Sequence, residues 1–120
     1  MRTEMFQQVL EELQGSSTDV EAAALISTDG LMIASSLPVG MDEDRVGAMS
    51  AAMLSLGDRA VRELARGTLE RVLLQGDKGY VIMSSSGTEA VLTVLAKPGA
   101  KLGLLFLDIK RAAEALAKLV

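Results

Sequence analysis

The chain has 120 residues, 16 acidic and 12 basic side chains, a formal net charge of −4, no histidine, no cysteine and three aromatic residues. Without histidine or cysteine, one chain cannot build a Ser–His or Cys–His nucleophile pair, a soft-metal site or a thiol redox centre. The acidic balance and the scarcity of aromatic rings argue against a general nucleic-acid binder, and no uncharged run reaches the ~18 residues of a membrane-spanning helix.

The first part of the chain predicts a helix followed by a hairpin. Apolar side chains recur at helical spacing over residues 3–14, and Gly15 is the expected C-cap of this helix. Asp29 and Gly30 separate two apolar runs, which is a strong short-range signal of a hairpin. We expect a type I′ turn at this dipeptide, with positive φ at both residues.

A long second helix is predicted over residues 43–66, with Gly67 as its stop. Asp42, Glu43 and Asp44 precede a long uncharged run. Acidic residues at a helix start accept hydrogen bonds from free amides and favour the positive end of the helix dipole. Three consecutive carboxylates could also bind a hard cation, but capping and solvation are the commoner use of such a triplet.

Three strands and a third helix complete the chain. Glycine-containing turns at Gly76–Gly79, Ser86-Gly87 and Pro98-Gly99 separate these elements. The serine-rich segment before Gly87 has no histidine and no lysine at a useful spacing, and the first of these turns lacks the Lys-Ser/Thr ending of a phosphate loop. Both segments are therefore interpreted as turns.

The predicted elements follow the order α-β-β-α-β-β-β-α. Short connections between successive strands imply hairpins, so we expect one α+β domain over residues 1–120, an antiparallel sheet with three helices packed on it. The elements in chain order are helix 3–14, strand 21–28, strand 31–35, helix 43–66, strand 68–74, strand 80–84, strand 90–96 and helix 102–119.

The second helix has a wider apolar surface than one sheet requires. Projected on a helical wheel at 100° per residue, its apolar and small side chains cover an arc of about 160°, from Leu56 through Met53 to Leu54. A helix that is buried on one sheet shows an apolar stripe on the order of 100°. A well-buried helix in a monomer, with small residues in a tight site, is one explanation. The excess width favours the other, a helix shared between its own sheet and a partner.

The predicted strand 68–74 has no cleanly polar face and follows a helix directly, which is consistent with a place at the sheet edge. An unprotected edge strand is a template for pairing across an interface. The charges of Glu70 and Arg71 could instead be ordinary edge protection, and the sequence leaves both explanations open.

Methionine is frequent in the chain, with seven residues. This flexible side chain serves both adaptable binding surfaces and irregular gaps in a core. We expect Met49 and Met53 to belong to a binding surface, and Met5, Met32 and Met83 to fill the core.

The order and spacing of the elements resemble the roadblock/dynein light-chain family over roughly residues 5–119. The resemblance implies a five-stranded antiparallel sheet with helices on both faces. It also implies a homodimer in which the second helices pack together and the third strands join into one sheet. The matching features are the apolar strand ending in Asp29-Gly30, the helix VGAMSAAMLSLGDRAVREL, the strands TLERVLLQG, GYVIMSSSG and AVLTVLA, and a closing helix that opens with Lys101-Leu102-Gly103-Leu104.

The bare length resembles a prokaryotic stand-alone member, and such relatives include regulators that bind Ras-like GTPases of the gliding-motility and polarity type. From this resemblance we expect a non-enzymatic homodimeric adaptor that binds a small Ras-like GTPase and modulates its nucleotide cycle or localisation. The expected dimer interface comprises Met49, Met53, Leu54, Leu56, Val61, Leu69, Arg71 and Val72. The expected GTPase-facing residues are Ala48, Ala51, Ala52, Ser55, Arg59, Arg62 and Arg66.

A small sensory or ligand-binding domain of similar build is the alternative function. Three aromatic residues give such a domain few anchors for a ligand. Neither interpretation requires a catalytic residue, a cofactor, a metal, a nucleic acid or a membrane span, and we expect the chain to be cytoplasmic.

Overall fold

The computed structural model of the chain describes residues 2–120, which form three helices and five strands. In chain order these are α1 (Arg2–Ser16), β1 (Val20–Ser27), β2 (Met32–Ser36), α2 (Glu43–Glu63), β3 (Val72–Gly76), β4 (Gly79–Ser86), β5 (Ala90–Ala96) and α3 (Leu102–Ala117). The predicted order and α+β class are confirmed. No helix within residues 2–120 has the length and apolar content needed to cross a bilayer.

The five strands form one antiparallel sheet in the spatial order β2-β1-β5-β4-β3. Of the three interior strands, β1 and β5 are buried along nearly their whole length. A strand that is covered on both faces carries apolar side chains on both, so its sequence is a continuous apolar run without alternating polar residues. This explains the sequences AAALI in β1 and AVLTVLA in β5.

The helices cover both faces of the sheet, as expected. On one face α1 and α3 contact each other and bury Leu10 and Leu116 against Leu92 of β5. On the other face α2 lies alone, and its Leu54 packs on Met83 and Val91. A single helix therefore covers the second face.

Helix α2 ends at Glu63, earlier than the predicted residue 66. Ala65 takes a left-handed conformation with φ of 57°. The backbone N–H of Arg66 donates to the carbonyl of Val61 (2.7 Å), and the N–H of Ala65 donates to that of Arg62 (3.2 Å). These two bonds form a Schellman C-cap, in which alanine occupies the position that glycine usually takes. The predicted stop at Gly67 was therefore too late.

The turn between β1 and β2 is not the predicted type I′ turn. Gly30 has a positive φ of 90°, whereas Asp29 keeps an ordinary negative φ. Ser27 accepts from the N–H of Gly30 (2.9 Å) and donates its own N–H to the carbonyl of Leu31 (2.9 Å). This is a three-residue loop in which a type I turn is followed by a left-handed glycine, an arrangement that also matches strand twist.

The C-terminal ends of α1 and β4 also differ from the prediction, because side-chain hydrogen bonds hold additional residues in these elements. Helix α1 continues through Gly15, the expected C-cap, to Ser16, whose hydroxyl donates to the carbonyl of Leu13 (2.9 Å). Strand β4 continues past its predicted end to Ser86, whose buried hydroxyl donates to the carbonyl of Ala113 in α3 (2.8 Å). The second bond ties the end of β4 to the helix beneath it.

Strand β3 is shorter than predicted because residues 68–71 leave the sheet. Its ladder with β4 begins at Val72. Leu69 packs beneath α2, whereas the guanidinium carbon of Arg71 lies 4.2 Å from the centroid of the Phe106 ring in α3. This segment therefore wraps the edge of the sheet and contacts the helices on both faces.

The two edges of the sheet differ in their surroundings. At β2, Gln7 Nε2 of α1 donates to the carbonyl of Ser35 (2.8 Å), and the Ser35 hydroxyl donates to Glu43 Oε2 of α2 (2.6 Å). At β3, the strand pairs with β4 on one side, and residues 73–76 are exposed. The expected edge position of the third strand is confirmed, and its outer side is open.

Candidate interaction surface

Two glycines bring α2 close to the sheet. A Cβ atom at Gly47 would overlap the carbonyl oxygen of Gly30 in the β1–β2 turn. A Cβ atom at Gly57 would lie 2.7 Å from Val72 Cγ2 in β3. Because side chains are absent at both positions, α2 rests on backbone at its N-terminal half and on β3 at its C-terminal half.

The start of α2 is fixed by the predicted cap. Asp42 Oδ1 accepts from the N–H groups of Asp44 (2.9 Å) and Arg45 (3.3 Å). These bonds satisfy two of the amides that a helix start leaves free. Within residues 2–120 no group of three or more acidic side chains is placed to hold a metal ion.

A buried hydroxyl pair joins the middle of α2 to the central strand β5. Thr93 Oγ1 donates to Ser50 Oγ at 2.8 Å, and both residues are buried. A hydroxyl without a partner in such a site would lose its hydration with no compensation. The pair therefore fixes the position of α2 over the sheet. Sequence reasoning missed it, although a lone threonine within the apolar run of β5 is the signal that could have found it.

This pair predicts a non-additive pattern of stability. Thr93→Val leaves the Ser50 hydroxyl buried without its donor and should lower the free energy of unfolding by about 1–3 kcal/mol. Adding Ser50→Ala should recover much of that loss, because no hydroxyl then remains unpaired. Urea denaturation of the two single variants and the double variant measures the coupling. Losses that simply add would contradict a stabilising role for this bond.

The wide apolar arc of α2 divides into two flanks in the structure. One flank carries Leu54 and faces the sheet, where that side chain is buried. The other carries Met49 and Leu56, which are 58% and 59% exposed. The excess apolar surface predicted from the sequence thus lies on a solvent-facing flank.

An apolar groove with a cavity volume of about 650 Å³ lies between this flank and the sheet. Its floor is a row across three strands, in which Leu74 of β3 pairs with Val81 of β4 and Val81 pairs with Leu95 of β5. We call it the methionine groove, because its lining includes Met41, Met49, Met53 and Met83. The groove adjoins the open edge of the sheet through Leu74.

The methionines only partly occupy the predicted places. Met83 is buried beneath Leu54, so its core position is confirmed. Met5 is 50% exposed on α1, so the core prediction was wrong for this residue. The neighbouring Phe6 faces the core in its place. Met32 is half-buried at the β2 edge.

The residues expected at a dimer interface fall into three places. Met49, Met53 and Leu56 lie on or beside the exposed flank of α2, and Val61 is half-buried further along the helix. Leu54 is instead buried in the core beneath α2, and Leu69 and Val72 are partly buried against this core, as Met53 also is. Arg71 turns towards Phe106 on the opposite face. The floor of the groove did not emerge from sequence reasoning, because its residues come from three separate strands.

The residues expected to face a GTPase lie on the outer side of α2, apart from Arg66, which follows the end of the helix. Ala48, Ala52 and Ser55 are exposed, and Ala51 is half-buried. The three arginines have local partners, because Arg59 pairs with Glu63 (2.9 Å), Arg62 pairs with Asp58, and Arg66 donates to the carbonyl of Leu64 (3.1 Å). Exposed i,i+4 ion pairs contribute only about 0.3–0.5 kcal/mol each, so a partner's carboxylate can replace them.

Comparison with known proteins gives consistent matches. A family model of the Roadblock/LC7 domain matches residues 5–96. The uncharacterized protein MJ1340 of Methanocaldococcus jannaschii is 37% identical over 110 residues, which cover 92% of this chain and 95% of that protein. The solved structure of MglB with tetrameric arrangement is 25% identical with a TM-score of 0.88 and covers 98% of this chain and 89% of that chain. The gliding protein MglB of Thermus thermophilus is 24% identical with a TM-score of 0.84, over 98% of this chain and 90% of that chain.

Proposed function

Because the chain belongs to the Roadblock/LC7 domain family, we propose that it is a homodimeric adaptor that binds a small Ras-like GTPase and regulates the nucleotide cycle or localisation of that GTPase. A regulatory or adaptor role is consistent with its structural similarity to MglB. To this regulatory role we add two points, that the chain forms a homodimer and that its partner is a small Ras-like GTPase.

The observation that carries the proposal is the position of an exposed apolar flank next to an open strand edge. Met49 and Leu56 on α2 lie on the same face as the groove floor, which reaches the edge at Leu74. Edge strands offer unpaired backbone groups, and an exposed apolar patch marks an interaction site. Both features would be satisfied by a second copy.

The geometry of antiparallel pairing supports this arrangement. A two-fold axis perpendicular to the sheet reverses the direction of β3 and leaves the faces of the sheet unchanged. Two copies joined through β3 would therefore carry both α2 helices on one face. Their exposed flanks would approach each other above a continuous sheet.

A GTPase would then meet the outer side of the paired helices. The small side chains Ala48, Ala52 and Ser55 leave the α2 backbone accessible to a partner. Arg59 and Arg62 supply a charged rim beside them. We assign the arginines to this rim, where they contact the GTPase surface. Any effect on hydrolysis would come from repositioning the GTPase's own groups.

The partner is tested by affinity capture. The immobilised chain is mixed with the Ras-like GTPases of the source organism, each loaded with GDP or with a GTP analogue. We expect retention of one GTPase, and we expect loss of retention for Ala48→Glu, which places a charged side chain on the exposed platform outside the methionine groove. Leu104→Glu is the control, because Leu104 is 63% exposed on α3, on the opposite face.

The outcomes of this capture separate the two functions. Retention by the native chain and by the Leu104 variant, with loss in the Ala48 variant, supports a GTPase-binding platform on α2. Failure to retain any GTPase in either nucleotide state contradicts the proposal and favours a sensory or ligand-binding domain.

A further inference from the structure

The methionine groove is rich in sulfur. Four of the six methionines within residues 2–120 contribute to its lining. Leucine would provide similar apolar volume, whereas a thioether is also open to oxidation. Accessibility differs among the four, because Met49 and Met41 are exposed, Met53 is half-buried and Met83 is buried.

We propose that Met49 and Met41 form a reversible oxidation site that controls the pairing of two copies of the chain, an inference that rests on the proposed dimer. Both residues lie at the mouth of the groove, one on α2 and one in the loop that precedes it. Both are accessible in the single chain. Pairing through α2 would cover Met49, so the reaction takes place on separated copies.

The oxidant is hydrogen peroxide. The thioether sulfur attacks one peroxide oxygen, and an S–O bond forms as the O–O bond breaks. The proton on the attacked oxygen passes to the other oxygen, which leaves as water. The sulfur loses two electrons and the peroxide gains them. The resulting sulfoxide is restored to methionine by sulfoxide reductases, so the change is reversible.

Oxidation changes the chemistry of the surface that pairs. A sulfoxide carries a polar oxygen, whereas the α2 flank of the second copy that would cover it carries the apolar side chains of Met49 and Leu56. Burying that oxygen against apolar side chains removes its hydration without a replacement hydrogen bond. Oxidised chains therefore accumulate as single copies by mass action.

The chain contains a matched internal control. Met5 is 50% exposed and Met49 is 58% exposed, so the two sulfurs have similar access to peroxide in a single copy. Met5 lies on α1, on the opposite face of the sheet. Pairing through α2 and β3 would shield Met49 and leave Met5 accessible.

The experiment treats the native chain with hydrogen peroxide at protein concentrations below and above the dissociation constant. Peptide mass spectrometry then measures the oxidation rate at each methionine. We expect similar rates at Met5 and Met49 in the dilute sample and selective protection of Met49 in the concentrated one. Sedimentation of chains oxidised at Met41 and Met49 should give a dissociation constant raised by about tenfold or more.

Replacing both residues by leucine tests the same inference by a second route. Met→Leu preserves apolar volume and is well tolerated. The Met41→Leu/Met49→Leu variant should pair as the native chain does and should keep pairing after peroxide treatment. Peroxide sensitivity equal to that of the native chain would overturn the assignment to these two residues.

The remaining outcomes distinguish the redox inference from the proposed dimer on which it rests. An untreated native chain that stays monomeric at every concentration contradicts the proposed dimer and overturns the redox inference with it. An untreated dimer that persists unchanged after full oxidation of Met41 and Met49 overturns the redox inference alone.

Discussion

Replacing Met49 and Leu56 together by glutamate should convert the proposed dimer to a monomer. Both side chains lie on the exposed flank of α2, so in a dimer the new carboxylates would be buried against apolar surface. We expect the dissociation constant to rise roughly 100-fold, equivalent to about 3 kcal/mol. Sedimentation equilibrium measures this change, and circular dichroism checks that the single copy remains folded.

The choice of these two residues follows from the structure. Leu54→Arg or Val72→Arg would also be natural dimer-breaking substitutions from the sequence, but both residues contribute to the core beneath α2, and a charge there would unfold the chain. Leu104→Glu adds one carboxylate on α3, on the opposite face, and should leave association unchanged. A glutamate double variant that associates as tightly as the native chain would place the interface somewhere other than α2.

Gly47→Ala should be the most destabilising of the glycine-to-alanine substitutions in the helices. The added methyl group would overlap the carbonyl oxygen of Gly30, a backbone atom within a tight turn. Since neither backbone can move aside alone, α2 must shift over the sheet. We expect a loss of about 3 kcal/mol in the free energy of unfolding, measured by urea denaturation.

Gly103→Ala is the matched control for this prediction. Gly103 lies in α3, and a Cβ atom there would meet no heavy atom within 4 Å. Alanine is favoured over glycine in a helix by up to about 1 kcal/mol, so this variant should be at least as stable as the native chain. Equal effects of the two substitutions would show that helix propensity, and not the contact with Gly30, decides the stability at residue 47.

The element boundaries that the sequence predicted well have local causes. Strand β5 begins and ends at the predicted residues, 90 and 96, because turn-forming residues stand on both sides of it. The cap at Asp42 depends on two amides within the next three residues. The errors in the predicted boundaries arise where contacts between residues that are distant in the sequence determine the boundary. Strand β3 starts late because Arg71 is drawn to Phe106, more than thirty residues away in the chain.

The sequence predicted the width of the apolar arc of α2 but not its orientation relative to the sheet. Helical periodicity gives the width of the apolar arc, with Leu54 at one end and Leu56 at the other. Which end faces the sheet depends on the contact between Gly47 and Gly30, which no local pattern reveals. For this reason the sequence grouped buried Leu54 with exposed Leu56. The floor of the groove depends on strand register, which sequence patterns alone did not provide.

The difference between the two sheet edges limits the number of copies of the chain that can join through their sheets. In the proposed dimer, pairing of β3 with its copy would use the open edge of both molecules at once. The far edges of the joined sheet would then be two β2 strands, each held by Gln7 from α1 and by Glu43 from α2. A head-to-tail contact would leave one edge free at every step and could extend into a fibre, whereas this self-complementary contact closes after one round. The fold would therefore allow a cell to accumulate the adaptor at high concentration without polymerising it.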